Sequence, residues 1–236
     1  MMKTLLKVED IHTHIGQYHI LQGVSFEARE GEVSVLLGRN GAGKTTTLKS
    51  IMGLTPASKG AVLFNGQDIT KKPTYTIANG GIGYVPEDQG IFADLIVEEN
   101  MKVAMRKEDE AAYKRQEYVL ELFPDLKKFW KKDGGHLSGG QKQMLAMGRA
   151  FVNDSKLLLI DEPSKGLAPI VIGTVMEAIT EMKKSTTIVL VEQNFMMASR
   201  IGDKYTLIDD GETVHAGDMA DLIDNEEIKR KYLGIG

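Results

Sequence analysis

A glycine-rich run near the start of the chain has the spacing of a phosphate-binding loop. Residues 38–45 read GRNGAGKT, which fits G-x-x-x-x-G-K-[ST], between a strand-like run and a helical one. Glycines let backbone N–H groups converge on phosphate oxygens, and the helix turns the positive end of its dipole towards them. Lys44 would reach the β- and γ-phosphates of a nucleoside triphosphate, and Thr45 would bind Mg²⁺. The expected contacts are Gly38, Arg39, Asn40, Gly41, Ala42, Gly43, Lys44, Thr45 and Thr46.

Two adjacent carboxylates follow another apolar run and could act on that phosphate. Asp161 and Glu162 come directly after residues 157–160, a run typical of a strand buried on both faces of a parallel sheet. Ligands of such sheets bind beyond the carboxyl ends of the strands, where both acids emerge. We expect Asp161 to hold a water on Mg²⁺ and Glu162 to deprotonate the water that attacks the γ-phosphate. Alone, such a pair would more often be a solvated strand end, but the phosphate loop favours catalysis.

The elements that must position these residues alternate between strand and helix. Strand-like runs cover residues 5–9, 24–28, 32–37, 157–160 and 188–191, and helical patterns cover 44–52, 97–151, 170–183 and 195–201. This order predicts an α/β fold with a parallel-sheet core and a helical subdomain. In the helical segment, we expect core positions at Met101, Val103, Met105, Tyr118, Leu122 and Phe123, and a solvated face at lysines 127, 128, 131 and 132.

Composition narrows the class of protein. The 236 residues are long enough for one sizeable α/β domain or at most two small ones. The formal charge of −4 removes the basic footprint expected of a general nucleic-acid binder. The sequence holds no cysteine, which excludes disulfides and thiolate chemistry and fits a reducing compartment. No apolar run reaches the roughly 18 residues of a membrane span. We therefore expect a soluble, cytoplasmic protein.

A third motif points to a family. Residues 137–141 read LSGGQ before a helical pattern, so Ser138 can cap that helix while the two glycines leave its first amides free for an anion. With the phosphate loop and the acidic pair, this pentapeptide makes the chain resemble the ATP-binding cassette (ABC) ATPases from about Leu5 to Leu233. The resemblance implies a P-loop NTPase with an antiparallel β subdomain. It also implies a single domain over residues 1–236, with the helical subdomain inserted at about 88–150.

The resemblance further implies how an ATP site is completed. ABC ATPases dimerise head to tail, and each ATP lies between the phosphate loop of one subunit and the signature pentapeptide of the other. By this resemblance Ser138, Gly139, Gly140 and Gln141 contact the ATP that a partner cassette holds. That partner is a second copy of the chain or a paralogue, and the implied cofactors are ATP and Mg²⁺.

Several short stretches are similar to the smaller ATPase of branched-chain amino-acid importers. They include VPED at 85–88, VEEN at 97–100, GLAP at 166–169 and VEQN at 191–194. This similarity implies two transmembrane permease subunits, a location on the inner face of the cell membrane, and no direct contact with nucleic acid or transported substrate. ATPases of urea or amide importers share much of the pattern and stay an alternative. The single cassette and the acidic charge disfavour a soluble ABC ATPase that acts on ribosomes or DNA. The signature pentapeptide LSGGQ disfavours a P-loop kinase.

Two positions with an expected catalytic role depart from the general ABC pattern. Glu87 stands where the family has Gln, and its carboxylate can touch Mg²⁺ or the attacking water with a charge that Gln lacks. Gln193 stands at the switch histidine, and it can donate a hydrogen bond to the γ-phosphate but cannot carry a proton. Both substitutions recur in the importer branch, so the resemblance implies an active enzyme. It also implies unequal sites if the partner carries the standard residues.

Two further departures concern the partner contact and the base. Ala168 stands where an aspartate is usual in the loop after the acidic pair. Ile15 stands where an aromatic side chain usually stacks on adenine. Tyr18 and His14 are the nearby candidates to replace that stacking, and a structural role is at least as common for either residue type.

Overall fold

The protein forms one mixed β-sheet with helices packed on it. The computed structural model describes residues 3–235, and within them the sheet has ten strands. The strands are β1 (Thr4–Ile15), β2 (Tyr18–Arg29), β3 (Val33–Leu37), β4 (Lys59–Phe64), β5 (Gln67–Asp68), β6 (Ile82–Val85), β7 (Leu157–Asp161), β8 (Thr187–Val191), β9 (Lys204–Asp209) and β10 (Glu212–Asp218). Their order across the sheet is β5-β4-β1-β2-β10-β9-β3-β8-β7-β6.

The sheet has an antiparallel half and a parallel half. β1 pairs antiparallel with β2 and β4, and β4 pairs antiparallel with β5. In contrast, β9, β3, β8, β7 and β6 are parallel neighbours in that order. β10 joins the halves, because it is antiparallel to β9 and meets β2 where Glu212 pairs with Gly23. The predicted α/β class with a parallel core is confirmed.

Most of the helices lie between the parallel strands in the sequence. They are α1 (Lys44–Ile51), α2 (Thr74–Asn79), α3 (Val97–Ala104), α4 (Glu110–Leu122), α5 (Pro124–Lys128), α6 (Gly139–Phe151), α7 (Pro169–Met182), α8 (Phe195–Ile201), α9 (Met219–Ile223) and α10 (Glu226–Ile228). The helical pattern at 97–151 is confirmed as α3 to α6, which separate β6 from β7. No helix in residues 3–235 combines the length and the apolar content that crossing a membrane requires.

Apolar side chains cover both faces of the parallel strands. On β7, Leu158 and Ile160 belong to a cluster with α3 to α7, whereas Leu157 and Leu159 belong to a second cluster with α1 and the antiparallel strands. Alternate residues of a strand face opposite sides, so a strand buried on both faces is apolar throughout. This is why the continuous apolar runs at 157–160 and 188–191 predicted β7 and β8 correctly.

The β1–β2 hairpin is longer than the sequence predicts. The predicted runs at 5–9 and 24–28 continue to Ile15 and back from Tyr18, joined by a turn in which Gly16 has a φ of 60°. The added part includes Thr13, which is polar yet fully buried, with its hydroxyl oxygen 2.9 Å from that of Ser50 in α1. The predicted run stops at Glu9 because Asp10 interrupts the strand pattern: its φ is 45°, and the register of β1 against β2 shifts between Val8 and Ile11.

One of the expected core positions in the helical segment is wrong. Met101, Met105 and Phe123 are buried, and Tyr118 and Leu122 are partly buried against the same cluster. Val103 is 59% exposed instead. Val103 lies two residues after Met101 in α3, and residues two apart on a helix do not share a face. The lysines at 127, 128, 131 and 132 are all exposed, so the solvated face is confirmed.

Gly148 of α6 packs directly against the neighbouring helices. A Cβ atom at this position would lie 2.7 Å from Val119 Cγ1 and 3.5 Å from Met101 Sδ. Gly148→Ala should therefore lower the free energy of unfolding by about 1–3 kcal/mol, the usual cost of overpacking a core, although alanine is the better helix former. Urea-induced unfolding followed by circular dichroism measures this change.

Gly173 of α7 provides the matched control in another helix. A Cβ atom there meets nothing within 4 Å, so Gly173→Ala should raise the free energy of unfolding by up to about 1 kcal/mol through helix propensity alone. A Gly148→Ala protein as stable as the Gly173→Ala protein would contradict the close packing of α6 on α4.

Candidate active site

The candidate residues meet where four parallel strands end. β3 leads into the loop 38–43, β6 into Glu87, β7 into Asp161 and Glu162, and β8 into Gln193. This edge of a parallel sheet is where such folds bind ligands. A cavity of 320 Å³ opens here, and its lining residues are Ile15, Ile20, Asn40, Gly41, Gly43, Lys44, Thr45, Thr46, Glu87, Glu162 and Lys165.

The glycine-rich loop is packed closely against the strands beside it. Gly38 has a φ of 152°, and a Cβ atom there would lie 2.1 Å from the carbonyl oxygen of Ile208 in β9. At Gly43, φ is 106° and a Cβ atom would lie 2.7 Å from Leu21 Cδ2 in β2. Both positions need glycine because the neighbouring atoms come so close. α1 begins after Gly43 without a side-chain cap, so its first N–H groups stay available to an anion.

Lys44 lies folded over the loop that precedes it. The side chain is 4% exposed, and its Nζ donates to the carbonyl oxygens of Gly38 at 2.9 Å and Arg39 at 3.0 Å. Nζ is also 3.8 Å from Glu162 Oε1. Burial lowers the pKa of Lys44, and the carboxylate of Glu162 opposes that shift. The ammonium group is thus surrounded by oxygen atoms, as it would be beside a phosphate.

Not every residue of the predicted phosphate loop faces the cavity. Asn40, Thr45 and Thr46 are among the lining residues. The guanidinium of Arg39 instead donates to the carbonyl oxygen of Lys231, 3.3 Å away near the C-terminus. Ala42 is buried in the apolar cluster beside α1. The side chain of Ala42 therefore has a packing role in the loop.

Asp161 is fully buried and bonded to two hydroxyl groups. Thr45 Oγ1 donates to Asp161 Oδ1 at 3.0 Å, and the Tyr84 hydroxyl donates to Oδ2 at 3.4 Å. Burial raises the pKa of Asp161 to about 6, and the bond from Thr45 opposes that shift. Residues 3–235 hold no group of three or more His, Cys, Asp or Glu side chains suited to a metal ion. A hydroxyl and a carboxylate still fit Mg²⁺, which takes one or two carboxylates plus substrate phosphates.

Glu162 stands beside Lys44 and Gln193 in an uncommon backbone conformation. Its φ of 47° is left-handed, which few residues other than glycine adopt and which costs energy. The side chain is 9% exposed, and Gln193 Nε2 donates to Glu162 Oε1 at 2.6 Å. The same amide nitrogen of Gln193 also contacts Asn40 Oδ1. The predicted base, the switch residue and the phosphate loop are therefore in direct contact.

Lys165 is a site residue that no motif identifies. Its ammonium group contacts Glu87 Oε1 and lies 3.9 Å from Glu162 Oε2. The hydrogen bond to Glu87 raises the pKa of Lys165. Lys165 follows Glu162 by three residues, so that approach is local. Glu87 belongs to a distant loop, and nothing in the sequence connects the two side chains.

The signature pentapeptide forms the capped start of α6. Ser138 Oγ accepts from the backbone N–H of Gln141 at 3.3 Å, and Gln141 Oε1 accepts from the backbone N–H of Ser138 at 3.0 Å. Gln141 Nε2 also donates to Asp125 Oδ2 at 3.2 Å. The predicted cap at Ser138 is confirmed as a reciprocal capping box. The side chain of Gln141 is occupied by these contacts.

The two glycines of the pentapeptide have different surroundings. A Cβ atom at Gly140 would lie 2.8 Å from Val171 Cγ1 in α7, whereas one at Gly139 would meet nothing within 4 Å. The carbonyl oxygen of Gly139 accepts from Gln89 Nε2 at 3.3 Å, in the loop that carries Glu87. Within residues 3–235, the lining of the cavity includes no residue of the pentapeptide. The chain therefore does not bring its own signature to its own phosphate loop.

The side of the cavity expected to hold adenine is aliphatic. Ile15 is 47% exposed and lines the cavity together with Ile20. His14 stacks on His19, with ring centroids 4.2 Å apart, and Tyr18 is exposed beyond the turn. Neither His14 nor Tyr18 is among the lining residues, so neither replaces the missing aromatic in this structure. Two isoleucine side chains form the apolar surface in its place.

Known proteins resemble the chain over almost its whole length. The sequence model of the ABC transporter family matches residues 21–165, more than half of the chain. The high-affinity branched-chain amino acid transport ATP-binding protein BraG of Pseudomonas aeruginosa is 38% identical over 232 residues, 98% of this chain and 100% of BraG. The probable branched-chain amino acid transport ATP-binding protein LivF of Archaeoglobus fulgidus is 36% identical over 234 residues, 98% of this chain and 99% of LivF. LptB of Escherichia coli, the ATP-binding protein of a lipopolysaccharide export system, is 30% identical over 219 residues, 91% of each chain.

Solved structures share the fold. A nucleotide-free ATP-binding cassette from an ABC transporter has a TM-score of 0.85 at 24% identity, covering 99% of this chain and 100% of that one. An ATP-binding subunit of an ABC transporter has a TM-score of 0.83 at 31% identity, covering 97% and 93% of the two chains. The predicted P-loop NTPase fold is thus confirmed. On these grounds the chain belongs to the ABC transporter family, as an ATP-binding subunit that hydrolyses ATP.

Proposed function

We propose that this chain powers the import of branched-chain amino acids by hydrolysing ATP for membrane-embedded permease partners. The observation that carries the hydrolytic part is Glu162, which lies at the end of β7 beside Lys44 and Gln193. BraG and LivF, both branched-chain amino acid transport ATP-binding proteins, match the chain over nearly its full length, and this similarity supports branched-chain amino acids as the transported substrate. LptB serves lipopolysaccharide export with the same family of ATPase, so the fold by itself does not define the cargo.

In this proposal the phosphate loop holds the β- and γ-phosphates of ATP. The cavity at the uncapped start of α1, where the helix dipole favours negative charge, is lined by Gly41, Gly43, Lys44, Thr45 and Thr46. Lys44 exchanges the carbonyl oxygens of Gly38 and Arg39 for phosphate oxygens. That exchange replaces neutral acceptors by charged ones, which are the stronger partners of an ammonium group.

Thr45, Asp161 and Glu87 are the residues that would hold Mg²⁺ beside these phosphates. All three offer oxygen atoms, the donors that Mg²⁺ prefers, and Thr45 already bonds to Asp161. When bound, the metal ion neutralises negative charge on the β- and γ-phosphate oxygens. Glu87 is paired with Lys165, so it would have to leave that lysine before it could serve the metal.

Hydrolysis in this proposal uses Glu162 as the base for the attacking water. The carboxylate takes the proton of the water, while Lys44 stabilises charge on the phosphate that is being released. Gln193 holds Glu162 through its amide nitrogen and can also donate to the γ-phosphate, but it cannot take up a proton. In this proposal the proton goes to Glu162.

The signature pentapeptide would complete the ATP site of a neighbouring cassette. It begins α6, a helix whose first N–H groups can face an anion, yet it lies outside the lining of the described cavity. A head-to-tail pair, made of two copies of this chain or of this chain with a paralogue, would bring Ser138, Gly139 and Gly140 to the partner's ATP. Each site is then built from two chains.

A groove beside the cavity supports contact with a permease subunit. The groove has a volume of 670 Å³, and its lining residues are Thr45, Lys49, Leu54, Tyr84, Pro86, Glu87, Asp88, Asp161 and Lys165. Glu87 lines both the groove and the cavity, so a segment bound in the groove can move Glu87. A permease subunit bound in this groove would hold the chain at the inner face of the membrane. The chain touches neither nucleic acid nor the transported amino acid in this arrangement.

Uptake in cells tests the proposed substrate. Deleting the gene from its natural host should abolish the uptake of labelled leucine, isoleucine and valine, and the wild-type gene should restore it. Lys44→Ala should not restore uptake because ATP binding loses its main cation. Lys184→Ala, at an exposed lysine outside the cavity and the groove, should restore it fully. Intact leucine uptake with lost urea uptake would contradict the proposed cargo.

Mixing two inactive variants tests whether two copies share each site. Lys44→Ala spoils the phosphate loop and Ser138→Arg spoils the signature, so either protein alone should lack ATPase activity. A mixed pair keeps one intact site, made from the loop of one chain and the signature of the other. The mixture should therefore recover about a quarter of the wild-type turnover if pairing is random. A mixture that stays inactive would contradict a site shared between two copies.

A further inference from the structure

Glu192 is a buried carboxylate that accepts hydrogen bonds from the backbone of two different loops. It follows β8 directly and is 1% exposed. Its Oε1 accepts from the backbone N–H of Ser164 at 3.0 Å. Its Oε2 accepts from the backbone N–H groups of Gln193 at 3.0 Å and Asn194 at 2.9 Å. Three donors from two different loops therefore converge on one side chain.

The two loops that Glu192 joins are those that carry the proposed base and the switch residue. Ser164 comes two residues after Glu162, and Gln193 directly follows Glu192. The side chains of Glu162 and Gln193 are themselves in contact, at 2.6 Å between Oε1 and Nε2. The backbone N–H of Glu192 also donates to the carbonyl oxygen of Leu36 at 3.3 Å, just before the phosphate loop. Glu192 thus lies at the junction of three loops of the site.

The arrangement of donors selects an ionised carboxylate at this position. A carboxylate accepts at both oxygens, whereas an amide of the same shape would turn its own N–H groups towards the donors of one loop. Burial raises the pKa of Glu192, and the hydrogen bonds oppose that rise. A favourable charge interaction with Lys44 and the hydrogen bonds from Ser164, Gln193 and Asn194 together offset the cost of burying this charge. An apolar side chain would be easier to bury, but it would form no hydrogen bonds to either loop.

We infer that Glu192 is a positioning residue that sets the spacing between Glu162 and Gln193 by tying their two loops together. The inference rests on the proposed role of Glu162 as base. Glu192 itself lines neither the cavity nor the groove, so it acts through the residues that it holds. Loss of the bridge lets Glu162 leave the position from which it reaches the attacking water, while the phosphate loop that binds ATP stays in place.

Glu192→Gln tests this role because it keeps the size of the side chain and removes acceptors from one loop. The kcat of ATP hydrolysis should fall roughly 10- to 100-fold, the usual effect of moving a catalytic group by about 1 Å from its working position. The affinity for ATP, measured by calorimetry in the presence of EDTA, should change less than about twofold. Glu192→Asp, which keeps the charge but is too short to reach both loops, should show the same division and serves if Glu192→Gln folds poorly.

Glu32→Gln is the matched control. Glu32 is also buried, but it directly precedes β3, at the end of the strand far from the site. The kcat of the Glu32→Gln protein should therefore stay at the wild-type level. A wild-type kcat in Glu192→Gln, or a loss of ATP affinity that parallels the loss of kcat, would overturn the inference. Glu162→Gln measured alongside separates the two proposals. If the Glu162→Gln protein hydrolyses ATP normally, the proposed role of Glu162 as base is wrong. If Glu162→Gln is inactive while Glu192→Gln hydrolyses ATP normally, only the proposed role of Glu192 is wrong.

Discussion

Parallel pairing of β6, β7, β8 and β3 is the constraint on which the rest of the site depends. Val85 lies beside Ile160 and Asp161 beside Val191, and Val191 also pairs with Leu36. These strands therefore stop at the same level, and their loops meet although they are far apart in the sequence. Apolar clusters on both faces fix the strands, so the edge is rigid while the loops carry the polar groups.

The polar groups of this edge are paired with one another. Lys44 donates to two carbonyl oxygens, Thr45 donates to Asp161, and Lys165 contacts Glu87. In the proposed function each of them exchanges a protein partner for a phosphate oxygen or a metal ion. The free energy gained in any one exchange is the difference between the energies of two hydrogen bonds. That difference is small compared with the energy of either bond. The affinity for ATP then depends on many such exchanges together with the bare N–H groups of the helix start.

The sequence predicts the local pieces of this site and misses the contacts between them. The loop at 38–45 and the acidic pair could be identified because one turn or one strand end sets their spacing. The full β1–β2 hairpin could not, because Asp10 interrupts the strand pattern and the buried Thr13 beyond it meets its partner Ser50 only in the folded chain. Lys165 and Glu192 escaped for the same reason. Each joins loops that follow different strands, and the burial or pairing that reveals it exists only after packing.

Glu162 as the base of hydrolysis is tested most directly by the turnover and ATP binding of the Glu162→Gln protein. Glutamine keeps the shape and the contact with Gln193 but cannot accept the proton of water. Turnover should fall by about 10²–10⁴-fold, the usual contribution of a general base, while ATP stays bound and holds the cassettes together. Turnover close to the wild-type rate, or a loss of ATP binding equal to that of Lys44→Ala, would contradict this assignment.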